Sequence, residues 1–377
     1  MSKPKICFYA LTAYPLLSQP ELGFIGGAEL QQVLIGKELA KKGYDVSFVV
    51  FDHGQKPFET IDGIKIYKTV PKGYVLSGIK SLDFAVKSVW NALKQADADI
   101  YFRKGGGRNT GFVALFCLLK RKKFIYQLAS DMDVDSTFTK NMKLHERVLY
   151  NFGLKRADYI IAQSEYQQEL LKRNFNKNSI VIKNPYPIEK LEKSKSTSLI
   201  VLWVGTIKPE WKQPELFLEL AKAVPDAKFQ MVGGASVNKQ FYDKVKEEAE
   251  RLPNLEFVGF VPYPAVNKYF ANASILVNTS SIEGFPNTFL QAWAAYTPVV
   301  SLNADPDEII CKYKLGFHSR VFDQIVTDVK TLLKDEKLRE EMGMNGRRYV
   351  EREHDIKKNV EKYVKVFEKL SNEGNRS

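Results

Sequence analysis

The sequence predicts an α/β protein with two doubly wound domains, each a parallel sheet covered by helices on both faces. Short apolar runs typical of buried strands alternate with segments of helical apolar spacing along the chain. This alternation stops at the polar run EKLEKSKSTS (189–198), which follows Pro185 and Pro187, and then starts again. A chain of 377 residues is also too long for one ordinary domain.

The first half of the chain predicts one complete domain, at residues 1–185. Helices are predicted over 27–42 and 78–96, from about 109, and around 138–155. Strands are predicted at KICFYAL (5–11), VSFVVFD (46–52), GIKIYKTV (63–70), DIYFRKG (99–105), FIYQLAS (124–130), YIIAQSE (159–165) and IVIKNP (180–185). Because helices separate the strands, the strands are expected to pair in parallel. A linker is predicted at 186–198.

The second half predicts a similar domain, at residues 199–350. Helices are predicted from about 213, around 238–251, from about 288, and through the charged end from about 335. Strands are predicted at LIVLWVGT (199–206), KFQMVGG (228–234), LEFVGFV (255–261), SILVNTS (274–280) and PVVSLN (298–303). Two such domains facing each other would form a cleft, with ligands at the carboxyl ends of the strands.

The composition excludes several classes of protein. An apolar fraction of 44% excludes global disorder, and no apolar run approaches the roughly 18–20 residues that cross a bilayer. The amino terminus leads almost directly into a strand and lacks the layout of a signal peptide. Cys7, Cys117 and Cys311 are far apart and odd in number, which predicts buried thiols in a reducing compartment, not a disulfide framework or a zinc site. A cytoplasmic protein is expected.

The positive charge is concentrated in the first half. Residues 1–183 contain 28 Lys and Arg against 17 Asp and Glu, whereas 184–377 contain 28 against 27, out of a net charge of +12. This bias predicts an anionic partner such as a membrane surface, a phosphorylated lipid or a nucleic acid. A helix predicted at 140–156 mixes basic and apolar residues and suits an anionic interface, although its apolar face could equally pack on the sheet. A basic surface that only aids solubility is the alternative.

Four loops between strands and helices are candidate anion sites. Gly26 and Gly27 open a helix, where free N–H groups and the helix dipole attract anions. The loop KGGGRNTG (104–111) has flanking arginines at Arg103 and Arg108 but no complete G-x-G-x-x-G, which argues against a dinucleotide-binding protein. In VGTIKPEWK (204–212), the last lysine precedes a helix and could reach a diphosphate.

The fourth loop, SIEGFPNTFLQAW (281–293), combines a carboxylate with a tight turn and a helix start. Asn287 and Thr288 are predicted to cap the helix, and Pro286 fits a tight entry. Glu283 could accept hydrogen bonds from sugar hydroxyls while the helix N–H groups hold a phosphate. The alternative is a glutamate that only interacts favourably with the helix dipole.

Taken together, several of these segments resemble one known family. GGAE (26–29), VIKNP (181–185), VGTIKPEWKQPELFLELA (204–221), LEFVGFVP (255–262) and EGFPNTFLQAWA (283–294) resemble the retaining glycosyltransferases of family 4, in matching order and over nearly the whole chain. The resemblance implies the GT-B fold, in which two Rossmann-like domains face a cleft. It also implies that a C-terminal helix (351–377) packs back on the first domain.

The resemblance further implies a retaining hexosyltransferase for cell-surface polysaccharide or glycolipid synthesis. The first domain would bind a glycan or lipid-phosphate-linked acceptor, and the second a UDP- or GDP-linked sugar, with no metal or other cofactor required and no nucleic acid bound. Glu283, Lys212 and Asp131 would take catalytic roles, with Asp131 binding an acceptor hydroxyl or acting as a base. The implied donor contacts are Gly27, Gly205, Thr206, Lys212, Phe260, Val261, Glu283, Phe285, Asn287, Thr288 and Gln291.

The sequence departs from the family pattern at three positions, which indicates a subtype. Thr206 replaces a common arginine, so that Lys212 would hold more of the diphosphate. Ser130 stands where many relatives have a histidine, and Gln291 replaces the second glutamate of the E-x7-E motif. A neutral Gln291 beside a diphosphate would partly offset the missing arginine.

Parts of the sequence also fit three other functions. The run DMDVD (131–135) could bind Mn²⁺ or Mg²⁺ in a metal-dependent transferase, although that architecture does not use two Rossmann-like halves. A nucleotide-sugar epimerase of similar architecture would require acid–base groups that the histidines do not supply at the motif positions. A non-catalytic, membrane-associated sugar-nucleotide-binding protein is the third; the sequence contains no nucleic-acid-binding motif.

Overall fold

The structure is a computed structural model that describes residues 3–18, 26–75, 79–188, 199–235 and 238–374. The described residues form two compact units. The first unit runs to Pro185 and resumes at Ile356, and the second contains Tyr186 to Asp355. The predicted linker run 189–198 lies outside the described residues.

The first unit is built on a sheet with the strand order β3-β4-β2-β1-β5-β6-β7-β8. Every neighbouring pair is parallel except β3 and β4. The strands are β1 (Ile6–Tyr9), β2 (Val46–Asp52), β3 (Phe58–Ile61), β4 (Ile64–Pro71), β5 (Ile100–Lys104), β6 (Lys123–Gln127), β7 (Tyr159–Ala162) and β8 (Ile180–Val181). The sequence did not predict β3, which forms a hairpin with β4. Asp62 and Gly63 make its two-residue turn, both with positive φ (49° and 78°), a turn favoured by Asp-Gly.

Helices cover this sheet largely where the apolar spacing predicted them. They are α1 (Tyr14–Leu17), α2 (Gly27–Lys41), α3 (Ile79–Ala96), α4 (Arg108–Lys120), α5 (Ser136–Asn141), α6 (Leu144–Arg156) and α7 (Glu165–Phe175). The single helix predicted around 138–155 is wrong, because the chain breaks it into α5 and α6. The sequence also gave no sign of α7, which buries only Gln167, Leu170 and Leu171 and so has little apolar periodicity.

The second unit contains a sheet in which each neighbouring pair is parallel, in the order β11-β10-β9-β12-β13-β14. Its strands are β9 (Ile200–Val204), β10 (Lys228–Val232), β11 (Leu255–Gly259), β12 (Ile275–Asn278), β13 (Val299–Ser301) and β14 (Gly316–His318). Its helices are α8 (Pro214–Ala223), α9 (Lys239–Glu250), α10 (Asn267–Asn272), α11 (Asn287–Ala294), α12 (Ile309–Lys312), α13 (Phe322–Lys334) and α14 (Glu336–Glu353). The predicted fold class, two α/β domains with parallel sheets, is confirmed.

The last helix, α15 (Ile356–Gly374), belongs to the first unit. It packs against α2, and the Tyr363 hydroxyl accepts a hydrogen bond from Gln127 Nε2 at 2.9 Å. The Phe367 ring lies 6.4 Å from the Phe102 ring, edge to face. The helix thereby covers one face of strands β5 and β6.

Two of the three cysteines are buried, as predicted. Cys7 and Cys117 are buried free thiols as expected, whereas Cys311 is exposed, because it lies on the short helix α12 near the edge of the second sheet. Among the described helices, none combines the length and the apolar character needed to cross a bilayer.

Candidate functional site

Two strand ends approach each other closely at the carboxyl edge of the second sheet. Gly205 follows β9, and its N–H donates to the Val232 carbonyl at 3.1 Å. A Cβ on Gly205 would lie 2.9 Å from the Trp203 indole, and a Cβ on Gly233 would lie 2.2 Å from the Gly205 carbonyl oxygen. Only glycine fits at both positions. Thr206 follows as a buried residue at the start of the loop to α8.

A chain of hydrogen bonds fixes this loop to the end of β12. Trp203 Nε1 donates to Thr279 Oγ1 at 3.0 Å, and that hydroxyl donates to the Lys212 carbonyl at 2.7 Å. The Ser281 N–H donates to the Trp211 carbonyl at 2.8 Å. The backbone of Lys212 is therefore held next to the turn that carries Glu283.

Lys212 and Glu283 form an ion pair between Nζ and Oε1. Their side chains are only 26% and 15% exposed, so the pair is partly shielded from solvent. Lys208 lies nearby, with Nζ 4.2 Å from the centre of the Trp211 ring. Burial lowers the pKa of Lys208, and the charge of Lys212 lowers it further. The strand ends thus carry two lysines and one carboxylate within one small region.

Helix α11 begins directly after the turn at Glu283. Its N-cap is Pro286, whose side chain makes no capping hydrogen bond, and Asn287 is its first helical residue. The prediction that Asn287 and Thr288 cap the helix is therefore wrong, because both lie inside its first turn. Amides in the first turn of a helix have no intrahelical acceptor and lie at the positive end of the dipole. The start of α11 is suited to an anion.

Phe285 anchors this turn in the core of the second unit. It is 7% exposed, and its ring lies 4.7 Å from the ring of His354, which is fully buried. Gln291 lies further along α11 and is 6% exposed; its Nε2 donates to Asn267 Oδ1 on α10 at 3.1 Å. The sequence missed Asn267, since a helix as short as α10 has no clear periodicity.

Phe260 and Val261 follow β11 at the same carboxyl edge. Phe260 is 38% exposed, and a Cβ on Gly234 would lie 3.1 Å from its ring, so glycine at 234 makes room for it. Val261 is partly buried and packs against the second unit's apolar core. An exposed aromatic ring in this place offers a stacking surface for a nucleotide base.

In the first unit, Gly27 is the first residue of α2, after the N-cap residue Gly26. The carboxylate of Glu29 folds back over this start: a Cβ on Gly26 would lie 2.2 Å from its Oε2. Glu29 also accepts a hydrogen bond from Thr12 Oγ1 at 2.7 Å. The sequence assigned no role to Glu29, because its contacts with Thr12 and with the helix start form only in the folded chain.

The aspartates of DMDVD have different tasks. Asp133 is buried and accepts backbone N–H bonds from Gly106 at 3.0 Å, Ala129 at 2.6 Å and Ser130 at 3.3 Å. Burial raises its pKa, while those three bonds lower it. Asp131 is partly exposed, and its Oδ1 accepts from Gln167 Nε2 at 2.9 Å. Asp133 therefore holds the loop together, whereas Asp131 is partly exposed and bonded to Gln167.

A pocket of about 520 Å³ opens in the first unit between the glycine loop and α5–α6. Arg103 lines it as a partly buried residue, and its Nε donates to Thr110 Oγ1 at 3.3 Å. Arg108 lines it as a more exposed residue, and its Nη1 lies 3.9 Å from Glu146 Oε1. The pocket residues are Arg103, Gly106, Gly107, Arg108, Asn109, Asn141, Met142 and Glu146. The two arginines that the sequence identified beside the glycines thus line one cavity.

Comparison with solved structures identifies the fold. The structure is similar to sucrose-phosphate synthase from Thermosynechococcus elongatus, with a TM-score of 0.80 and 15% identity over 98% of this chain and 100% of the other. It is also similar to Anabaena HepE in complex with UDP and glucose, with a TM-score of 0.75 and 16% identity over 97% and 100% of the two chains. Two parallel-sheet domains with these neighbours are the GT-B fold.

The sequence comparisons then specify the two domains. Residues 25–190 match the family described as Glycosyltransferase Family 4, and residues 188–349 match Glycosyl transferases group 1. An uncharacterized glycosyltransferase of Haemophilus influenzae is 28% identical over 295 residues, which are 76% of this chain and 79% of that protein. These matches support a GT-B glycosyltransferase, as the motifs predicted.

Proposed function

We propose that the protein transfers a sugar, with retention, from a nucleotide-diphospho-sugar to a hydroxyl of a glycan or lipid-linked acceptor in cell-surface polysaccharide or glycolipid synthesis. The observation that carries this proposal is the Lys212–Glu283 ion pair close in sequence to the start of α11. It puts a cation, a carboxylate and helix amides at the carboxyl ends of β9 and β12. UDP is the first nucleotide to test, because HepE was solved with UDP; GDP is the second.

In the proposed reaction, Lys212 and the amides of α11 bind the diphosphate. When the bond between the sugar and the diphosphate breaks, negative charge grows on the leaving oxygen, and a preorganised cation with amide donors stabilises it. Lys212 must leave Glu283 to do so, and Glu283 then accepts hydrogen bonds from sugar hydroxyls. The cation is supplied by the chain itself, so activity is expected to survive EDTA.

The acceptor is proposed to bind in the first unit. Its pocket between Arg103 and Arg108 suits an anionic or hydroxyl-rich group. Asp131 is proposed to accept a hydrogen bond from the acceptor hydroxyl. That oxygen attacks the sugar on the face from which the diphosphate leaves, and its proton passes to the departing phosphate, so one C–O bond replaces another and the configuration is retained.

The two partners of the ion pair are distinguished by comparing UDP with the intact donor. Lys212→Ala is expected to weaken UDP binding by about 10-fold or more, since a hydrogen bond to a charged group contributes about 1.5–3 kcal/mol. Glu283→Ala is expected to leave UDP binding unchanged or tighter, because it releases Lys212, while turnover falls by about 100-fold or more. Calorimetry with UDP and a turnover assay with UDP-sugars measure the two effects.

Lys222→Ala is the matched control. Lys222 pairs with Glu219 at 2.7 Å on α8, and both side chains are exposed (41% and 52%). Its loss therefore removes a lysine–glutamate pair of the same unit away from the strand ends. Wild-type UDP affinity in Lys212→Ala, together with wild-type turnover in Glu283→Ala, would place the donor elsewhere.

The epimerase and the non-catalytic interpretations are tested by the products. An epimerase would convert the sugar nucleotide without any acceptor, whereas the proposed transferase requires one. The family matches favour the transferase. A non-catalytic binding protein would bind a sugar nucleotide but form no product with any acceptor from a glycan or lipid-phosphate panel.

The location is also a proposal: cytoplasmic, at an anionic membrane surface. The charge bias of the first half supports it. Helix α6 adds a second argument, since Leu144 and Val148 are 67% and 59% exposed beside basic residues. Such a location would bring lipid-linked acceptors within reach of the first unit.

A further inference from the structure

Three side chains with metal-binding atoms converge at one end of the second unit's sheet. Asp305 follows β13, Cys311 lies on α12, and His318 ends β14. A carboxylate oxygen, the sulfur and an imidazole nitrogen from these residues all lie within 4.8 Å of one another. The topology explains the convergence: β13 and β14 are parallel neighbours with Ser301 opposite His318, and α12 is part of the connection between them.

Asp305 supplies an unusual oxygen. Its side chain is 2% exposed, and its Oδ1 accepts the Ile310 N–H at 2.8 Å. Its Oδ2 is buried and, within the described part of the chain, accepts no N–H or O–H hydrogen bond; the Cys311 thiol contacts the carboxylate, and His318 Nδ1 lies 3.8 Å from Oδ2. Burying a carboxylate oxygen without a strong donor destabilises the folded state. A cation bound at Oδ2 would remove that cost.

Cys311 faces the same point and is the cysteine whose residue is exposed. Burial and the Asp305 carboxylate raise the pKa of its thiol, while Arg320 and the His318 backbone N–H lower it. Binding to a divalent metal deprotonates a thiol outright. The resulting thiolate and the carboxylate together would balance two positive charges.

We propose that Asp305, Cys311 and His318 form a Zn²⁺ site with three protein ligands and water in the remaining position. Sulfur and imidazole donors select zinc and similar transition metals over Mg²⁺ and Ca²⁺, which prefer oxygen. Zinc bonds of about 2.0–2.3 Å put tetrahedral ligand atoms roughly 3.4–3.8 Å apart, so the atoms need to draw together by at most about 1 Å; Asp305 Oδ2 and His318 Nδ1 are already 3.8 Å apart. The sequence argued against zinc because the three cysteines are far apart. The proposed site needs only one cysteine, so that argument does not apply to it.

The site is connected to the segment before Glu283. Leu302 N–H donates to the Asn278 carbonyl at 2.8 Å, and Asn303 Nδ2 donates to the Ser280 carbonyl at 3.3 Å. Zinc would join the loop after β13 to α12 and β14, and those bonds would extend the fixed region to the end of β12. Its role is structural, and the site does not depend on the proposed reaction.

Metal binding to the full chain, freed of metal by a chelator, tests the proposal. We expect one Zn²⁺ per chain in competition with a chromophoric chelator. Co²⁺ is expected to give visible d–d bands and a thiolate charge-transfer band. Cys311→Ser should abolish the charge-transfer band, and both Cys311→Ser and His318→Gln should weaken binding at least 10-fold. His145→Gln, at an exposed histidine on α6, is the control and should bind as the wild type does.

Two results would overturn the site. One is the absence of saturable, one-to-one Co²⁺ or Zn²⁺ binding by the folded wild type. The other is equal affinity in the wild type and in Cys311→Ser, which would assign any binding to other groups. Cys311 is exposed, so its serine variant is expected to fold; circular dichroism checks this before the titration.

Discussion

At position 291 a neutral amide occupies a nearly closed space next to the proposed diphosphate site. Gln291 is 6% exposed and donates to Asn267 Oδ1 at 3.1 Å. In Gln291→Glu a carboxylate oxygen would face that oxygen, and a charge would be buried where a hydrogen bond had been. We expect a lower melting temperature and weaker UDP binding, although the change restores the commoner family motif. Thermal unfolding and UDP calorimetry measure the two effects.

Gln240→Glu is the control for this substitution. Gln240 is exposed in the first turn of α9, where an acidic side chain is well tolerated. Gln240→Glu adds one negative charge to the unit, as Gln291→Glu does, but it adds that charge at an exposed position. Tighter UDP binding by Gln291→Glu than by the wild type would contradict the idea that the neutral side chain compensates for Thr206.

A second single-residue effect concerns Lys104, the last residue of β5. It is 5% exposed, and its Nζ donates to Asn184 Oδ1 at 2.8 Å. Burial lowers its pKa from 10.5 to about 7, against the attraction of Asp133 and Glu29. Between about pH 7 and 10.5 the unfolded chain binds more protons than the folded one, so the free energy of unfolding rises with pH there.

Lys104→Met removes the group that takes up a proton when the chain unfolds in this pH range. The stability of the wild type relative to Lys104→Met is therefore expected to rise from about pH 7 upward, by at most about 1.4 kcal/mol per pH unit, and to stay constant below that pH. Urea denaturation across this range measures it. Lys41→Met, at a lysine 75% exposed, is the control substitution. A constant difference for Lys104→Met at all pH values would mean that the lysine titrates normally.

At the scale of elements, two glycines set the distance between α4 and α6. A Cβ on Gly111 would lie 2.0 Å from the Leu149 carbonyl oxygen, and one on Gly153 would lie 2.8 Å from the Thr110 carbonyl carbon. Both contacts are with backbone, which cannot rotate away. Gly111→Ala and Gly153→Ala are each expected to lower the free energy of unfolding by about 1–3 kcal/mol, although alanine is the better helix former.

Leu118→Ala is the control on α4, because Leu118 is 43% exposed and its loss should change stability by about 0.5 kcal/mol or less. Chemical denaturation with circular dichroism compares the three variants. A glycine variant as stable as the wild type would show that the two helices can separate without loss.

The elements that the sequence predicted well are those with long apolar patterns. The second strand was predicted at 46–52 and is Val46–Asp52, since a central parallel strand is mostly apolar. Short or polar elements were missed, such as α7, α10 and β14, because few of their residues face the core. The hairpin strand β3 was missed although Asp62-Gly63 marks its turn. The contact between α4 and α6 was also not predictable from apolar periodicity, because glycines form it.

For the candidate site, the sequence identified residues but not their partners. It placed Lys212 and Glu283 in separate loops with separate tasks, and the structure shows them as an ion pair. It grouped Asp131 with Asp133, whereas Asp133 is occupied by three backbone amides. The partner of Gln291 lies 24 positions away on another helix. Contacts between distant segments follow from strand order, which one sequence does not specify.

At the scale of the whole molecule, the uneven charge predicts binding to anionic membranes through the first unit. Lys140, Lys143 and Arg147 lie beside the exposed Leu144 and Val148 on α5–α6. Replacing these three basic residues with Gln should weaken binding to phosphatidylserine vesicles by about 1 kcal/mol for each charge near the surface. Co-sedimentation with the vesicles measures this binding. The control removes three exposed lysines of α9 in the second unit, where the net charge is nearly balanced: Lys239, Lys244 and Lys246. Equal losses in both triple variants would indicate nonspecific attraction, and unchanged binding in the first would exclude α5–α6 from the interface.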